Sequence, residues 1–141
     1  MTMTTSKTSV EVRLYGLSTA TIDWGDGTSA TTCTFSDSWI NSNHTYAASS
    51  THTITIAGEN IMNLDCQNNQ LTALDVNNNT ALTGLSCGSN QLTATALNNL
   101  FGTLHSNTIE GGKNIYIGDN DGTGTCDTSI ATNKGWTVYN I

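Results

Sequence analysis

Ile61-Met62-Asn63-Leu64-Asp65-Cys66-Gln67-Asn68-Asn69-Gln70-Leu71-Thr72-Ala73 returns 21 residues later as Leu82-Thr83-Gly84-Leu85-Ser86-Cys87-Gly88-Ser89-Asn90-Gln91-Leu92-Thr93-Ala94. Both copies read L-x-x-L-x-C-x-x-N-x-L, with Ile in place of the first Leu in the earlier one. A unit of about 20–29 residues with this pattern cannot bury its apolar edge alone and has to stack on neighbours. Stacked units offer a surface rather than a catalytic cleft.

Within each copy, Leu64 with Cys66 and Leu85 with Cys87 are expected to point inward from short parallel strands. Asp65 and Ser86 then face outward, because side chains alternate along a strand. Asn69 and Asn90 fall at the bend, where a carboxamide can bond backbone groups that the turning chain leaves unpaired. Leu71, Leu74, Val76 and Leu82 are expected to fill the interior from the opposite wall.

The pattern continues outward. Ile115-Tyr116-Ile117-Gly118-Asp119-Asn120 matches Leu64 to Asn69, and Trp136-Thr137-Val138 follows 21 residues after Ile115. Four strand positions result, near 64–66, 85–87, 115–117 and 136–138. The wider gap before Ile115 predicts a helix, since Leu97, Leu100, Phe101 and Leu104 fall at i, i+3, i+4 and i+7, with Thr93 or Thr95 as N-cap. A shorter helix fits Thr128 to Lys134, capped by Asp127 and ended by Gly135.

Before the repeats the chain reads as strands and turns. Val10, Val12 and Leu14 alternate with Glu11 and Arg13, and Thr19 to Trp24 and Thr51 to Ile56 are β-prone runs. Gly25-Asp26-Gly27 turns the chain, so Thr31 to Phe35 is placed as the return arm of a hairpin. Asp37 to Ser42 reads as a loop with Trp39 folded onto the core, and Met1 to Lys7 as a polar start ahead of the first assigned segment.

Composition narrows the function classes. Of 141 residues only 11% are charged, against roughly 25% in an average soluble protein, and the net charge is −7 from 11 acidic and 4 basic side chains. A nucleic-acid partner is unexpected, because little here neutralises a run of phosphates. Attraction to anionic membrane is equally unexpected, and no run of about 18 apolar residues predicts a transmembrane helix. No signal segment is visible at the start. Four cysteines permit two disulfides, yet Cys66 and Cys87 occupy equivalent inward positions and read as free buried thiols. Pairing of Cys33 with Cys126 stays open.

Asn69-Gln70-Leu71-Thr72-Ala73-Leu74-Asp75-Val76-Asn77-Asn78-Asn79-Thr80-Ala81-Leu82 and the terminal Gly135-Trp136-Thr137-Val138 resemble bacterial leucine-rich-repeat cell-surface proteins, over about residues 61–141. Ile22-Asp23-Trp24-Gly25-Asp26-Gly27-Thr28, His44-Thr45-Tyr46 and His52-Thr53-Ile54-Thr55-Ile56 resemble the polycystic-kidney-disease (PKD) type β-sandwich module, over about residues 10–57. The segment is short of strands for a complete sandwich. These resemblances imply an extracellular or cell-surface setting and a non-enzymatic role.

Candidates for chemistry are few. Asp23 and Asp26 read either as a carboxylate pair or as turn residues, and turn chemistry is favoured. Asp119, Asp121 and Asp127 are weak metal candidates, since a calcium loop of the EF-hand kind needs a Glu where Ile130 stands. His44, His52 and His105 are scattered, and no nucleophile motif or phosphate cradle is found. No cofactor is expected.

The sequence thus predicts an α/β solenoid, a short leucine-rich-repeat stack of about four parallel strands with one or two short helices, preceded by an antiparallel β cap. Residues 8–58 form the PKD-like cap and 59–141 the repeat domain with its C-terminal cap. The expected function is non-catalytic binding of a protein or glycan through Asp65, Ser86, Tyr116 and Thr137, one outward residue per strand, with Tyr116 as the anchor. A structural spacer without its own ligand is the alternative. A carbohydrate-active hydrolase using Asp23/Asp26 or Asp119/Asp121 is the remote one.

Overall fold

The computed structural model describes residues 1–141. Six strands precede the repeats: β1 (Thr2–Thr5), β2 (Ser9–Gly16), β3 (Thr19–Asp23), β4 (Thr31–Thr34), β5 (Ile40–Thr45) and β6 (His52–Ala57). Then come β7 (Ile61–Asp65), β8 (Leu71–Asp75), β9 (Gly84–Ser86), α1 (Ala94–Thr103), β10 (Lys113–Tyr116), α2 (Ser129–Thr132) and β11 (Trp136–Tyr139).

The strands form two sheets. The first, in the order β4-β3-β6-β1-β8, is antiparallel throughout. The second, in the order β11-β10-β9-β7-β2-β5, is mixed: β7, β9, β10 and β11 run parallel, and β2 and β5 are antiparallel. The expected α/β solenoid with a separate antiparallel cap is therefore corrected. The chain is mostly β, with eleven strands and two short helices. Its parallel strands make up one end of a six-stranded mixed sheet rather than a free-standing spiral.

The physical reason lies in the partners of the repeat strands. Leu71–Asp75, expected as a plain inner wall, pairs with β1 in the first sheet, while β7 pairs with β2 in the second. Residues 8–58 and 59–141 are thus stitched together through a sheet on each side of one core of 29 buried residues. The Thr2–Thr5 segment, which precedes the expected cap at residues 8–58, is an interior strand between β6 and β8 with Met3 buried. Only beyond β8 do helices take over the second wall. There α1 packs beside β8, and α2 beside both α1 and β11.

Strand registers refine the spacing argument. Leu64, Leu85 and Ile115 lie side by side, but the fourth member of that inward row is Val138, 23 residues after Ile115. Trp136 pairs instead with Lys113, so the final unit is two residues out of step with the 21-residue offset. Helix α1 buries Leu97, Leu100 and Phe101, and the Thr93 hydroxyl accepts the Ala96 N–H at 3.2 Å. Helix α2 starts after Asp127, whose carboxylate accepts the Ser129 N–H at 3.0 Å.

Three buried asparagines close the bends. Asn90 donates to the carbonyls of Cys66 and Cys87, each at 3.0 Å, and accepts the N–H groups of Asn69 and Leu71. Asn120 repeats the pattern toward Cys87, Ile117 and Leu92. Asn69 extends it into β2, exchanging bonds with both backbone groups of Glu11. This column joins the parallel strands to the antiparallel ones, a continuity that strand pattern alone does not reveal.

Candidate functional site

Alternation places Leu64, Leu85 and Ile115 in the core, so their neighbours Asp65, Ser86 and Tyr116 face out of the second sheet. Register aligns these three in one row, which begins with Asn41 and Arg13 and ends with Tyr139. Thr137, expected in the same row as Tyr116, is one row away, opposite Asn114. Its row contains Tyr15, Asn63, Gly84 and Asn114. The two-residue slip of the last strand explains both the displacement of Thr137 and the presence of Tyr139.

Aromatic rings stand at both ends of this face. Tyr116 and Tyr139 stack with centroids 4.7 Å apart and planes 12° apart. At the other end Trp39 lies 6.0 Å from Tyr15, with the Arg13 guanidinium 5.2 Å from the Trp39 ring. Trp39 was expected to fold onto the core. It is instead 44% exposed, because β5 begins at the next residue and, with Ile40 turned in, Trp39 is turned outward. Sequence reasoning missed Trp39, Tyr15 and Tyr139 as members of the face. The spacing of Trp39 from Asn41 was the available signal.

Between the aromatic ends the floor is polar. Arg13 reaches Asp65 at 3.4 Å and Asn41 at 3.1 Å. A recess of about 290 Å³ opens beside them, lined only by polar residues, among them Glu11, Arg13, Asp65 and Gln67. Gly84 leaves a bare backbone position over which the Asn63 amide lies. A Cβ at Gly84 would come within 2.0 Å of the Asn63 nitrogen.

The other candidates are held in local structure. Asp23 accepts the Gly25 N–H at 2.9 Å. Asp26 accepts the Thr28 hydroxyl at 2.6 Å and its N–H at 3.0 Å, and meets His44 Nε2 at 2.8 Å. The Thr28 hydroxyl and N–H, and then His44, hold the Asp26 carboxyl well below the usual carboxylate range. His44 and His52 do not touch across paired strands, because β5 and β6 belong to different sheets. Tyr46 sits between them, edge-on to His44 and stacked on His52 at 3.7 Å, and Trp24 stacks on the far side of His44. The Tyr46 hydroxyl donates to the Trp24 carbonyl at 2.8 Å. This cluster ties the turn to the core. Asp119, Asp121 and Asp127 are not gathered into a three-ligand group. Asp127 instead bonds the N–H and hydroxyl of Ser129.

All four cysteines are free thiols, so Cys33 and Cys126 are unpaired. Burial pushes the Cys87 thiol up to about 12 and Cys66 well above the ordinary thiol range. His105 serves structure as well: its Nε2 is 2.8 Å from the Leu82 carbonyl, and its ring meets the edge of Trp136.

The chain matches no protein-family profile, no curated protein and no solved structure.

Proposed function

We propose that this protein is a non-catalytic binding module that receives a protein or glycan ligand on the outer face of the β11-β10-β9-β7-β2-β5 sheet, in an extracellular or cell-surface setting. The observation that carries this reading is the row Arg13–Asp65–Ser86–Tyr116–Tyr139, in register and accessible on one face. A flat row of polar groups flanked by aromatic rings has the composition of a recognition surface, where rings supply contact area and polar groups fix orientation. The resemblance of the repeats to bacterial leucine-rich-repeat surface proteins, and of the Trp24–His52 region to a PKD-type module, supports the setting.

Probing immobilised protein against arrays of glycans and surface proteins tests the proposal. A specific ligand whose signal is lost with Tyr116→Ala and Asp65→Ala, at unchanged thermal stability, is the expected outcome. No specific hit on either array overturns binding in favour of a spacer role.

A further inference from the structure

The aromatic side chains of this protein are sorted by face. Trp24, Tyr46, Phe101 and Trp136 are buried, and Phe35 packs against the core. The four remaining aromatic residues, Tyr15, Trp39, Tyr116 and Tyr139, all stand on the outer face of the mixed sheet. The outer face of the antiparallel sheet provides the contrast. Its registered positions include Thr2, Thr4, Thr21, Thr32, Thr53 and Thr55, with no aromatic among them. Strand propensity alone would scatter rings over both sheets.

We infer that the mixed sheet's outer face binds an uncharged, extended oligosaccharide lying across the strands, with sugar rings against Trp39/Tyr15 at one end and Tyr116 at the other. This rests on the binding role proposed above and names the ligand class.

Three observations select the occupant. The first is spacing. Tyr15 on β2 and Tyr116 on β10 are three strand intervals apart, about 14 Å at the usual inter-strand distance. That span suits an extended chain of a few sugars and exceeds a single ring. The second is charge. Lys7 and Arg13 cancel Glu11 and Asp65 around the recess, although the chain as a whole carries −7. A locally neutral site in an acidic protein selects a neutral partner over an anionic one. The third is polarity. The recess contains no apolar side chain, whereas a protein interface needs a desolvated, largely apolar centre. Hydroxyl-rich ligands instead call for the carboxylate, amide and guanidinium groups found here, which accept and donate in alternation.

Local geometry supplies a seat for one ring. Tyr139 covers one side of Tyr116, and the other side looks toward β9, whose registered residue is the small Ser86. Asp65 stands beyond Ser86, two strand intervals from Tyr116. The gap between them, about 9–10 Å between backbones, admits one sugar ring stacked on the phenol with its hydroxyls toward Asp65. Gly84, two residues before Ser86, is crossed by the Asn63 amide, which bounds the seat on that side.

Titration calorimetry with neutral hexasaccharides of glucose, xylose, mannose and N-acetylglucosamine tests this, alongside tryptophan fluorescence. Trp39 is exposed, whereas Trp24 and Trp136 are each only 2% exposed, so a ligand-induced emission change reports on Trp39. The expected result is binding by one of these sugars with an emission change lost in Trp39→Phe, and affinity at least tenfold weaker in Tyr116→Ala and in Trp39→Ala. Circular dichroism of both variants should match the parent, since neither ring is in the core. Stronger binding of a polyuronate than of any neutral sugar overturns the inference. So does sugar binding indifferent to both alanine variants. If no hexasaccharide binds while a protein ligand is lost with Tyr116→Ala, the glycan inference falls and the binding face stands. If nothing binds, both fall.

Discussion

The side-chain oxygen of Asn90 accepts the backbone N–H of Asn69 at 2.8 Å, across the 21 residues that separate the two copies of the repeat. The same oxygen takes the Leu71 N–H, and the Asn90 amide nitrogen donates to Cys66 and Cys87. With a further bond to the Gly88 carbonyl at 3.1 Å, one buried side chain therefore meets five backbone groups on two adjacent bends. Its partners lie where water has no access, and an unpaired buried group costs about 1–3 kcal/mol. Asn90→Ala is expected to lower unfolding free energy by at least about 3 kcal/mol in a denaturant titration. Asn90→Asp keeps the acceptor but loses all three donor bonds, and should be destabilised as well. A loss under about 1 kcal/mol for Asn90→Ala would show that the column does not hold the strands together.

The thiols give a second prediction. Cys66 and Cys87 lie fully inside, with burial holding both in the protonated form, whereas Cys126 is half-buried. The thiolate is the reactive species, so burial and protonation both oppose alkylation. At pH 8 iodoacetamide should modify Cys126 first and leave Cys66 and Cys87 untouched until the protein unfolds. Denaturation without reductant should expose four alkylatable thiols by intact mass. A count of two would mean a disulfide and a different core.

The sequence was most legible where residues repeat. The inward Leu64, Leu85 and Ile115, the bend asparagines and the Leu97–Leu104 helical face follow from spacing, because each reports a local geometry. Partners of the strands were not legible. Thr2–Thr5 carries no alternation strong enough to mark a central strand, and its place depends on pairing with Ile54 and Leu74, more than fifty residues away. The outer face of the mixed sheet was half legible for the same reason. Asp65, Ser86 and Tyr116 came from the repeat, whereas Tyr15 and Trp39 joined them through antiparallel pairing of β2 with β7 and β5. Thr137 was misplaced because the offset of 21 does not hold at the last strand.

Asp26 sets an acid dependence. Hydrogen bonds from the Thr28 hydroxyl and N–H, together with His44, favour the ionised carboxyl in the folded state and so lower its affinity for protons. An unfolded Asp titrates near about 4. The stabilisation is thus fully present above that pH and is lost as pH falls toward the folded-state value. Asp26→Asn removes the titration. Parent protein should be the more stable at pH 7, and the difference should shrink steadily below about pH 4. Denaturant midpoints measured from pH 7 to pH 2 check this. A constant difference across that range would assign the effect of the substitution to packing rather than to charge.

Lys113 anchors the opposite end of the molecule. Its residue is 3% exposed, yet its ammonium donates to the carbonyls of Asn107 and Lys134 at 2.7 Å and of His105 at 3.3 Å, beneath the ring of Trp136. Three donors meet three acceptors, which leaves the ammonium no free bond for an anion. Its role is to fasten the loop after α1 to the turn before β11. Lys113→Met preserves the apolar stem but strips all three carbonyls of their charged donor. A stability loss of about 2 kcal/mol is expected, with faster amide exchange confined to residues 105–112 and 133–135. Lys134, whose ammonium bonds the carbonyls of Gly102 and Leu104 nearer the surface, should cost less than about 1 kcal/mol when changed to Met. Equal losses for the two variants would mean that burial does not distinguish the lysines and that Lys113 is not the anchor.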